Sequence, residues 1–576
     1  MDANLSQTWL QTVSGGGFPL LTVLTLLPTL FALGCLLIPG EQPWAHKALG
    51  FTGSLVVLLV ALAVFAGVNV AVPGMQLVDD YPWIEAIGAR WTLGIDGLSL
   101  PYILLTAGLV PLVFAGAWSA IDKRWKEFTI AMLVLETGMI GSLLATDLLV
   151  FYVFWEVMLV PMYLIIGIWG GKDRIYATVK FFLYTMFGSL LMLVAILYLY
   201  NKGAGTFSLS ALTAVQLTDK EQLYMFAAFA LAFLIKVPVF PFHTWLPDAH
   251  TEAPTPGSVI LAGVMLKLGT YGFWRFAVPL FPVQARQYQT FFAALAVIGI
   301  VYGALMCLAQ RDIKKLIAYS SVSHLGYCML GIFAFTAEGA TGSAYQMLNH
   351  GVSTGALFLM FGMLYERRHA RLMSDYGGIA RIMPVYTAFF LIVTFSSIAV
   401  PGTNGFVGEF LVLLGSFKSN LPMAFSVLAA TCVVLGAAYM LWMVQKVFFG
   451  QVTHPENLQL KDLSKRELAA ALPFIALIAL MGLRPQPFLD VLNTSTTRFV
   501  ARSQYAANGE ATNDAKVRVL VRQLPRQQLA EAVLPAPQPL PSAQPTMLAK
   551  PMPRPVQLMP VQPSLQQAPQ PVKANP

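Results

Sequence analysis

Long, uninterrupted apolar blocks constrain this chain more than any other feature of its sequence. A helix needs about 20 apolar residues to cross roughly 30 Å of hydrocarbon, and blocks of this length occur about fourteen times. They fall near residues 18–40, 48–72, 97–119, 127–145, 147–169, 176–200, 222–246, 256–282, 288–308, 313–335, 343–365, 384–415, 421–449 and 467–484. The sequence therefore predicts an all-α polytopic membrane protein with about fourteen transmembrane helices.

Charged residues are scarce along the whole chain. Only 11% of the residues are charged and 57% are hydrophobic, whereas an ordinary soluble domain carries about 25% charged residues. So few charges cannot cover a water-exposed surface, which excludes soluble enzymes, nucleic-acid-binding proteins, disordered scaffolds and disulfide-rich secreted domains. A transmembrane β-barrel would show alternating segments of about ten residues, and the apolar blocks here are longer. A helical bundle in a lipid bilayer remains.

The loops between the apolar blocks alternate in charge. The loop at 79–96 is acidic. Basic residues occupy loops that follow alternate spans, namely Lys123, Arg124, Lys126, Lys172, Arg174, Arg311, Lys314, Lys315, Arg367, Arg368 and Arg371. Basic loops lie on the cytoplasmic side of a membrane. A chain with an even number of spans is therefore predicted to have both termini on the opposite side.

A few ionisable residues interrupt the apolar blocks. They are Glu136, Glu156, Lys236, Lys267, His324, His350 and Glu409. Such a residue costs about 2.5–3.5 kcal/mol or more at the centre of a span and usually marks a functional site. Several apolar residues flank Glu156, Lys236 and Lys267 on both sides, so these side chains are not expected to reach the interface, as Arg275 and Lys446 near block ends can. The histidines could instead be packing residues, and Glu136 could be a neutral carboxyl group.

These residue types suit proton transfer. A desolvated lysine holds its proton less firmly, and a nearby carboxylate strengthens that hold. Moving the carboxylate towards or away from the lysine therefore switches the lysine between holding and releasing a proton. Histidine, with an ordinary pKa near 6.5, can pass protons between such groups.

Two of the apolar blocks contain helix breakers. Pro238 and Pro241 interrupt the block at 222–246, and Pro401, Gly402 and Gly405 interrupt the block at 384–415. Each break lies close to an ionisable residue, and the two breaks are about 165 residues apart, which suggests an inverted repeat with one site in each half. Ordinary proline kinks are the alternative interpretation.

Signals for bound metals or cofactors are weak. His243, Asp248 and His250 match no helical zinc motif in their spacing, so capping or interfacial hydrogen bonds explain them better. The four cysteines form no CxxC pair, and the glycines at 15–17 lack the lysine of a phosphate loop. We expect no cofactor and no metal on this chain.

Three segments carry a resemblance to a known family. FWEVMLVPMY, PFHTWLPDAHTEAPTPGSVILAGVMLKLGTYG and RDIKKLIAYSSVSHLG resemble the antiporter-like subunits of respiratory complex I, the proton-translocating NADH-quinone oxidoreductase. Within that family, DAHTEAPTPGSV and the glutamate of NGFVGEF favour the M branch over the L and N branches. The resemblance covers roughly residues 1–495.

The resemblance implies a specific fold. This family has fourteen transmembrane helices, with two inverted five-helix repeats in which helices 7 and 12 are broken. The implied parts are helices 1–3 at 1–126, the first repeat (helices 4–8) at 127–282, the second repeat (helices 9–13) at 283–450 and the last helix with its flanks at 451–499. The Pro- and Gln-rich segment at 500–576 lies outside the resemblance, and its composition predicts a disordered tail.

The resemblance also implies a role for each ionisable residue. Glu156 would be the carboxylate that pairs with Lys236. Lys267, His324 and His350 would continue a hydrophilic axis that ends at Glu409. No role follows for Glu136 beyond that of a further candidate for the same path.

The implied function is proton translocation driven by electron transfer in other subunits of the enzyme. NADH, FMN, iron–sulfur clusters and quinone would then bind to partner subunits, among which are the antiporter-like subunits L and N. The implied location is the bacterial inner membrane, with both termini periplasmic. Two alternatives stay open: a subunit of a multisubunit cation/proton antiporter or membrane-bound hydrogenase, and a structural membrane-arm subunit without a proton path.

Overall fold

The computed structural model describes residues 18–507 of the chain, so the predicted tail beyond residue 507 lies outside the described residues. In chain order the α-helices are α1 (Leu20–Leu37), α2 (Pro43–Gly67), α3 (Ser99–Ala120), α4 (Trp125–Leu144), α5 (Leu148–Val157), α6 (Leu159–Trp169), α7 (Arg174–Lys202), α8 (Leu209–Leu212), α9 (Asp219–Lys236), α10 (Trp245–Glu252), α11 (Thr255–Ile260), α12 (Leu266–Gly272), α13 (Val278–Leu280), α14 (Pro282–Gln287), α15 (Gln289–Ala309), α16 (Ile313–Ala334), α17 (Ala337–Arg368), α18 (Ile379–Ile382), α19 (Pro384–Ser397), α20 (Asn404–Lys418), α21 (Met423–Phe448), α22 (Lys465–Leu483) and α23 (Gln486–Ala507).

Twelve helices within this part of the chain are long and apolar enough to cross a membrane. They comprise α1 to α4, α5 with α6, α7, α11 to α13 taken together, α15, α16, α17, α21 and α22. This confirms the predicted class, a helical multi-pass membrane protein. The last helix, α23, runs to Ala507 and so passes the expected start of the tail at residue 500.

Two further apolar blocks form helices that stop and restart. Helix α9 ends at Lys236 and α10 begins at Trp245, while α19 ends at Ser397 and α20 begins at Asn404. Proline removes a backbone donor and blocks the preceding turn, which accounts for the breaks after Lys236 and Ser397. At the second break Gly402 has a φ of 93°, a conformation that favours glycine. The breaks lie where the proline and glycine residues predict them.

The acidic loop between α2 and α3 folds into a β-hairpin. Strand β1 (Gln76–Ile84) pairs antiparallel with β2 (Ala89–Ile95). A short 3₁₀ turn joins them and ends at Gly88, whose φ is 63°. From its sequence this segment is predicted only to be an acidic loop, so the hairpin is a new finding. Because the hairpin leaves strand edges unpaired, it is suited to water or protein outside the hydrocarbon region.

Side-chain caps fix several helix starts. The Asp147 carboxylate accepts hydrogen bonds from two backbone N–H groups of α5, and Asp312 does the same for α16. Thr218 and Glu221 form a reciprocal capping box at the start of α9. These caps satisfy N–H groups that have no partner within the helix itself. Polar residues at block boundaries therefore define where the spans begin.

The spans differ in how deeply they are buried. The apolar stretches of the α11–α13 span and of α17 are wholly buried inside the bundle, and that of α16 is nearly so. In contrast, only about a third of the corresponding stretch is buried in α1, α2, α21 and α22. The buried central spans also carry Lys267, His324 and His350. The fold thus encloses polar side chains in its centre and presents apolar residues outwards.

Candidate functional site

The structure places the seven predicted residues inside the helical bundle. Six of them are buried: Glu136, Lys236, Lys267, His324, His350 and Glu409. Glu156 is half-buried. Four of the seven meet in one row of side chains, and the other three lie apart from that row.

The row begins at Lys267. Its Nζ lies 2.6 Å from His350 Nδ1 and also donates a hydrogen bond to the Ala262 carbonyl. A π-helical turn at Leu261–Met265 makes this possible. In an α-helix the Leu266 N–H would bond to the Ala262 carbonyl, but here it bonds to the Leu261 carbonyl, which leaves Ala262 open to the lysine. Such local π turns inside helices are frequent at functional sites.

The row continues from His350 to Glu409. The rings of His350 and His324 lie 5.8 Å apart between centroids. His324 Nδ1 then lies 2.8 Å from Glu409 Oε1. The Nε2 atoms of both rings have no hydrogen-bond partner among residues 18–507. Helices α12, α17, α16 and α20 therefore bring together four of the residues that the sequence analysis singled out.

Uncharged amides extend the site around Glu409. Gln346 donates from Nε2 to Glu409 Oε1 at 2.9 Å, and Asn349 donates from Nδ2 to Gln346 Oε1 at 3.1 Å. Gly408 leaves room for them, since a Cβ atom there would lie 2.5 Å from Gln346 Oε1. Neither amide is predicted by the pattern of ionisable residues in the apolar blocks. Gln346 lies three residues before Asn349 and four before His350 on α17, so it shares a helix face with each of them, and this spacing is the signal that could have indicated Gln346.

A second polar group closes the break between α19 and α20. Ser396 Oγ donates to Asn404 Oδ1 at 2.5 Å and lies 2.5 Å from Ser353 Oγ, which accepts from Asn404 Nδ2 at 3.2 Å. A small cavity borders both groups, and His324, Gln346, Asn349, His350, Ser353 and Ser396 are among the residues that line it. Backbone breaks at membrane depth are tolerated where such polar partners or a polar cavity satisfy them.

The first break has a different environment. Lys236, at the end of α9, is buried, and its Nζ lies 5.1 Å from the centroid of the Trp155 ring. Such a cation–π contact is favourable for a desolvated ammonium group. Glu156 follows Trp155 in the chain, but within the described residues no ion pair or hydrogen bond joins it to Lys236. The expected partners are thus neighbours without direct contact.

Glu136 lies apart from the row. Its side chain is fully buried, and neither carboxylate oxygen has a hydrogen-bond partner within the part of the chain that the structure describes. The next residue, Thr137, contacts Thr29 of α1 at 2.8 Å between hydroxyl oxygens. The structure therefore does not link Glu136 to the other candidates.

His250 has an environment that the sequence analysis did not anticipate. It is fully buried on α10, stacks on Phe358 at 4.5 Å, and neither ring nitrogen has a partner among the described residues. Interfacial hydrogen bonding does not fit this position. His243 instead packs near Phe240, and Asp248 pairs with Lys180 at 2.8 Å. In residues 18–507 no group of His, Cys, Asp or Glu is arranged to hold a metal ion.

Long apolar spans, with two further apolar blocks interrupted beside buried ionisable residues, are the architecture of the antiporter-like class of multi-pass membrane proteins. A family model for "NADH:quinone oxidoreductase/Mrp antiporter, TM" matches residues 145–436. NADH-quinone oxidoreductase subunit M of Rhodobacter capsulatus is 45% identical over 498 residues, which cover 84% of this chain and 96% of that protein. The chain belongs to the subunit M family of NADH-quinone oxidoreductases.

Similar proteins also include a chain 4 relative and chains of two solved structures. NADH-ubiquinone oxidoreductase chain 4 of Marchantia polymorpha is 40% identical over 486 residues, covering 84% of this chain and 98% of that protein. A chain of respiratory complex I from Thermus thermophilus has a TM-score of 0.76 and 35% identity, covering 84% of this chain and 99% of that chain. A chain of the Mrp complex from Dietzia sp. shares the fold, with a TM-score of 0.74 at 21% identity, covering 85% of this chain and 99% of that chain.

Proposed function

We propose that this chain moves protons along the row from Lys267 through His350 and His324 to Glu409. As a member of the subunit M family, the chain is a proton-translocating membrane-arm subunit of an NADH-quinone oxidoreductase and thus part of an enzyme complex. The observation that carries the proposal for this path is the sequence of contacts between the Lys267 ammonium and the Glu409 carboxylate.

Each step of the path uses groups that can hold and release a proton. The Lys267 ammonium is within hydrogen-bond distance of His350 Nδ1, and the imidazole can accept a proton there and release one from Nε2. A water molecule or a ring rotation would complete the step to His324, whose Nδ1 faces Glu409. The Glu409 carboxylate then accepts the proton and becomes neutral, while the Gln346 amide holds it in place by a hydrogen bond.

Lys236 and Glu156 are proposed as the preceding stations. Because they are neighbours without direct contact, a small movement of α5 or α9 can bring the carboxylate to the lysine or remove it. Such a movement changes how firmly Lys236 holds its proton. Electron transfer in partner subunits would drive it, with NADH, FMN, iron–sulfur clusters and quinone bound there and no cofactor on this chain.

The membrane location and orientation are part of the proposal. We place the chain in the bacterial inner membrane, with the two interrupted spans added to the twelve continuous ones and both termini periplasmic. Two of the basic loops lie at the same end of the bundle, which supports a single cytoplasmic side. Arg371, from one loop, contacts the Thr251 carbonyl and Glu252. Glu252 also accepts a hydrogen bond from the backbone N–H of Asp173, in the other loop. Other membrane-arm subunits, including antiporter-like subunits L and N, are the proposed partners.

The test uses the whole complex in membrane vesicles. Lys267→Ala is expected to abolish the part of proton movement that passes through this subunit while the complex still assembles and oxidises NADH. The matched control is Lys446→Ala, which removes an exposed lysine on α21. Normal proton movement in assembled Lys267→Ala complexes would overturn the proposal and favour a structural subunit without a proton path.

A cation/proton antiporter or membrane-bound hydrogenase subunit is the second candidate. The family model includes Mrp antiporters, and the fold is shared with a chain of a membrane-bound sulfane sulfur reductase at 25% identity and a TM-score of 0.74, covering 83% of this chain and 77% of that chain. The higher identity to subunit M favours the oxidoreductase. Co-purification of the tagged chain with subunits that oxidise NADH would support this choice, and co-purification with antiporter or hydrogenase subunits would contradict it.

A further inference from the structure

A buried ion pair joins the β-hairpin to the span that carries Lys267. Arg275 donates from Nη1 to Asp96 Oδ2 at 2.9 Å and from Nη2 to Asp96 Oδ1 at 2.6 Å. Both side chains are nearly enclosed, at 11% and 9% exposure. Its position near the end of an apolar block predicts that Arg275 reaches out to water. The structure shows instead that its side chain is turned inwards and paired. A two-point guanidinium–carboxylate contact fixes orientation as well as distance.

Asp96 is itself held rigidly. It follows the last residue of β2, and its Oδ1 atom accepts hydrogen bonds from the backbone N–H groups of Leu98 and Ser99 at the start of α3. The carboxylate thus has a fixed place between hairpin and helix. Because the Asp96 carboxylate is fixed, it also fixes the position of the Arg275 guanidinium that pairs with it.

Arg275 also holds Tyr271 in place. The guanidinium donates from Nε to the Tyr271 hydroxyl oxygen at 2.9 Å, and that hydroxyl donates to the Leu143 carbonyl at 2.7 Å. Leu143 lies in the last turn of α4, where carbonyls lack partners within the helix. Three elements, the hairpin, α4 and the Lys267 span, are therefore connected by four charge-assisted or neutral hydrogen bonds.

Tyr271 and Lys267 share the short helix α12. They are four residues apart and so lie on the same face, one turn from each other. Helix α12 spans only Leu266–Gly272 and has a π-helical turn at each end, at Leu261–Met265 and Phe273–Ala277, the second of which contains Arg275. Because π turns differ from the α-helix in residues per turn, the rotation of α12 about its axis depends on what holds these ends.

We infer that Asp96, Arg275 and Tyr271 are positioning residues for Lys267. Through the Tyr271 hydroxyl they fix the rotation of α12, and with it the direction of the Lys267 ammonium towards His350. None of the three touches the proton path itself. The inference rests on the proposed function, in which the contact between Lys267 and His350 is a step of proton transfer.

The test compares proton movement with NADH oxidation in membrane vesicles that contain the whole complex. Tyr271→Phe removes one hydroxyl group and keeps the ring, and Arg275→Lys keeps the charge but cannot make the two-point contact. Both variants are expected to lower the number of protons moved per NADH oxidised towards the value of Lys267→Ala. A misplacement of about 1 Å can cost roughly 100-fold in a transfer step. The matched control is Asp80→Asn, which breaks the exposed Asp80–Arg90 pair of the same hairpin.

A purely structural ion pair would give a different result. The amount of assembled complex would fall, and NADH oxidation and proton movement would fall in the same proportion, so that their ratio would equal that of the wild type. An unchanged ratio in both variants, while Lys267→Ala lowers it, would overturn the inference and leave the proposed function intact. An unchanged ratio in Lys267→Ala would overturn the proposed function and this inference together.

Discussion

The two interrupted spans differ in whether the polar side chains at the break have hydrogen-bond or ion-pair partners. At the second break Ser353, Ser396 and Asn404 bond to one another, and Glu409 is held by a histidine and an amide. At the first break the Lys236 ammonium faces an aromatic ring, and no carboxylate among the described residues lies within ion-pair distance. The carboxylate at the second break is thus already hydrogen-bonded, while Lys236 at the first break lies near Glu156 without direct contact.

This difference assigns different tasks to the two halves. A buried charge without its partner is unfavourable, so the state of Lys236 responds strongly to any approach of Glu156. A carboxylate that is already hydrogen-bonded responds less to movements of its surroundings. We therefore expect the first break to be the part that is switched and the second break to be the part that receives the proton.

The largest effect is expected at the first break. Lys236→Ala, or Glu156→Ala, should abolish proton movement through this subunit, because either change removes one member of the switch. The measurement is acidification of vesicles during NADH oxidation, with assembly checked by the amount of intact complex. Assembled variants that pump like the wild type would show that the unpaired lysine has no part in transfer.

A smaller effect is expected at the second break. Glu409→Gln keeps the size of the side chain but removes the group that accepts the proton, and proton movement should fall by about tenfold or more, since a positioned acid or base typically contributes 10²–10⁴-fold. Gln346→Leu is the comparison variant, because it removes a hydrogen bond to the Glu409 carboxylate and leaves the carboxylate itself in place. If Gln346→Leu reduced proton movement more than Glu409→Gln does, the assignment of Glu409 as the proton acceptor would be wrong.

The smallest effect is expected on stability rather than transfer. Ser396→Ala leaves Asn404 and Ser353 with one partner fewer in a buried place, which costs about 1–3 kcal/mol. The midpoint of thermal unfolding of the purified complex should therefore fall. Thr244→Ala near the first break removes the contact of this exposed threonine with the half-buried Tyr184 and should change the midpoint less. Equal shifts in the two variants would contradict the difference between the breaks.

Much of the fold follows from hydrophobic length alone. The thickness of the bilayer fixes how long an apolar run must be, and Pro238 and Pro401 mark the helix breaks because proline removes a backbone donor. The β-hairpin at 76–95 could not be predicted from hydrophobic length or from proline positions. Its strands lie outside the apolar blocks, where no membrane constraint shapes the pattern.

The candidate site was predictable only in part. Lys267 and Glu409 stand out because a charge inside an apolar block is costly. Gln346 and Asn349 do not, since uncharged polar residues occur in many helices and their role depends on which helix packs against them. The isolation of Glu136 and the direction of Arg275 also depend on tertiary packing, which apolar periodicity does not specify.

The central claim is that Lys267, His350, His324 and Glu409 form one path. The most direct measurement is the rate of proton movement per NADH oxidised in vesicles with His350→Gln, with His324→Gln and with both changes. Residues that act in one path are strongly non-additive. The account predicts that the double variant moves protons no more slowly than the slower single variant. If each single variant keeps a given fraction of the wild-type rate, a double-variant rate equal to the product of those two fractions would contradict it, because the two histidines would then act independently.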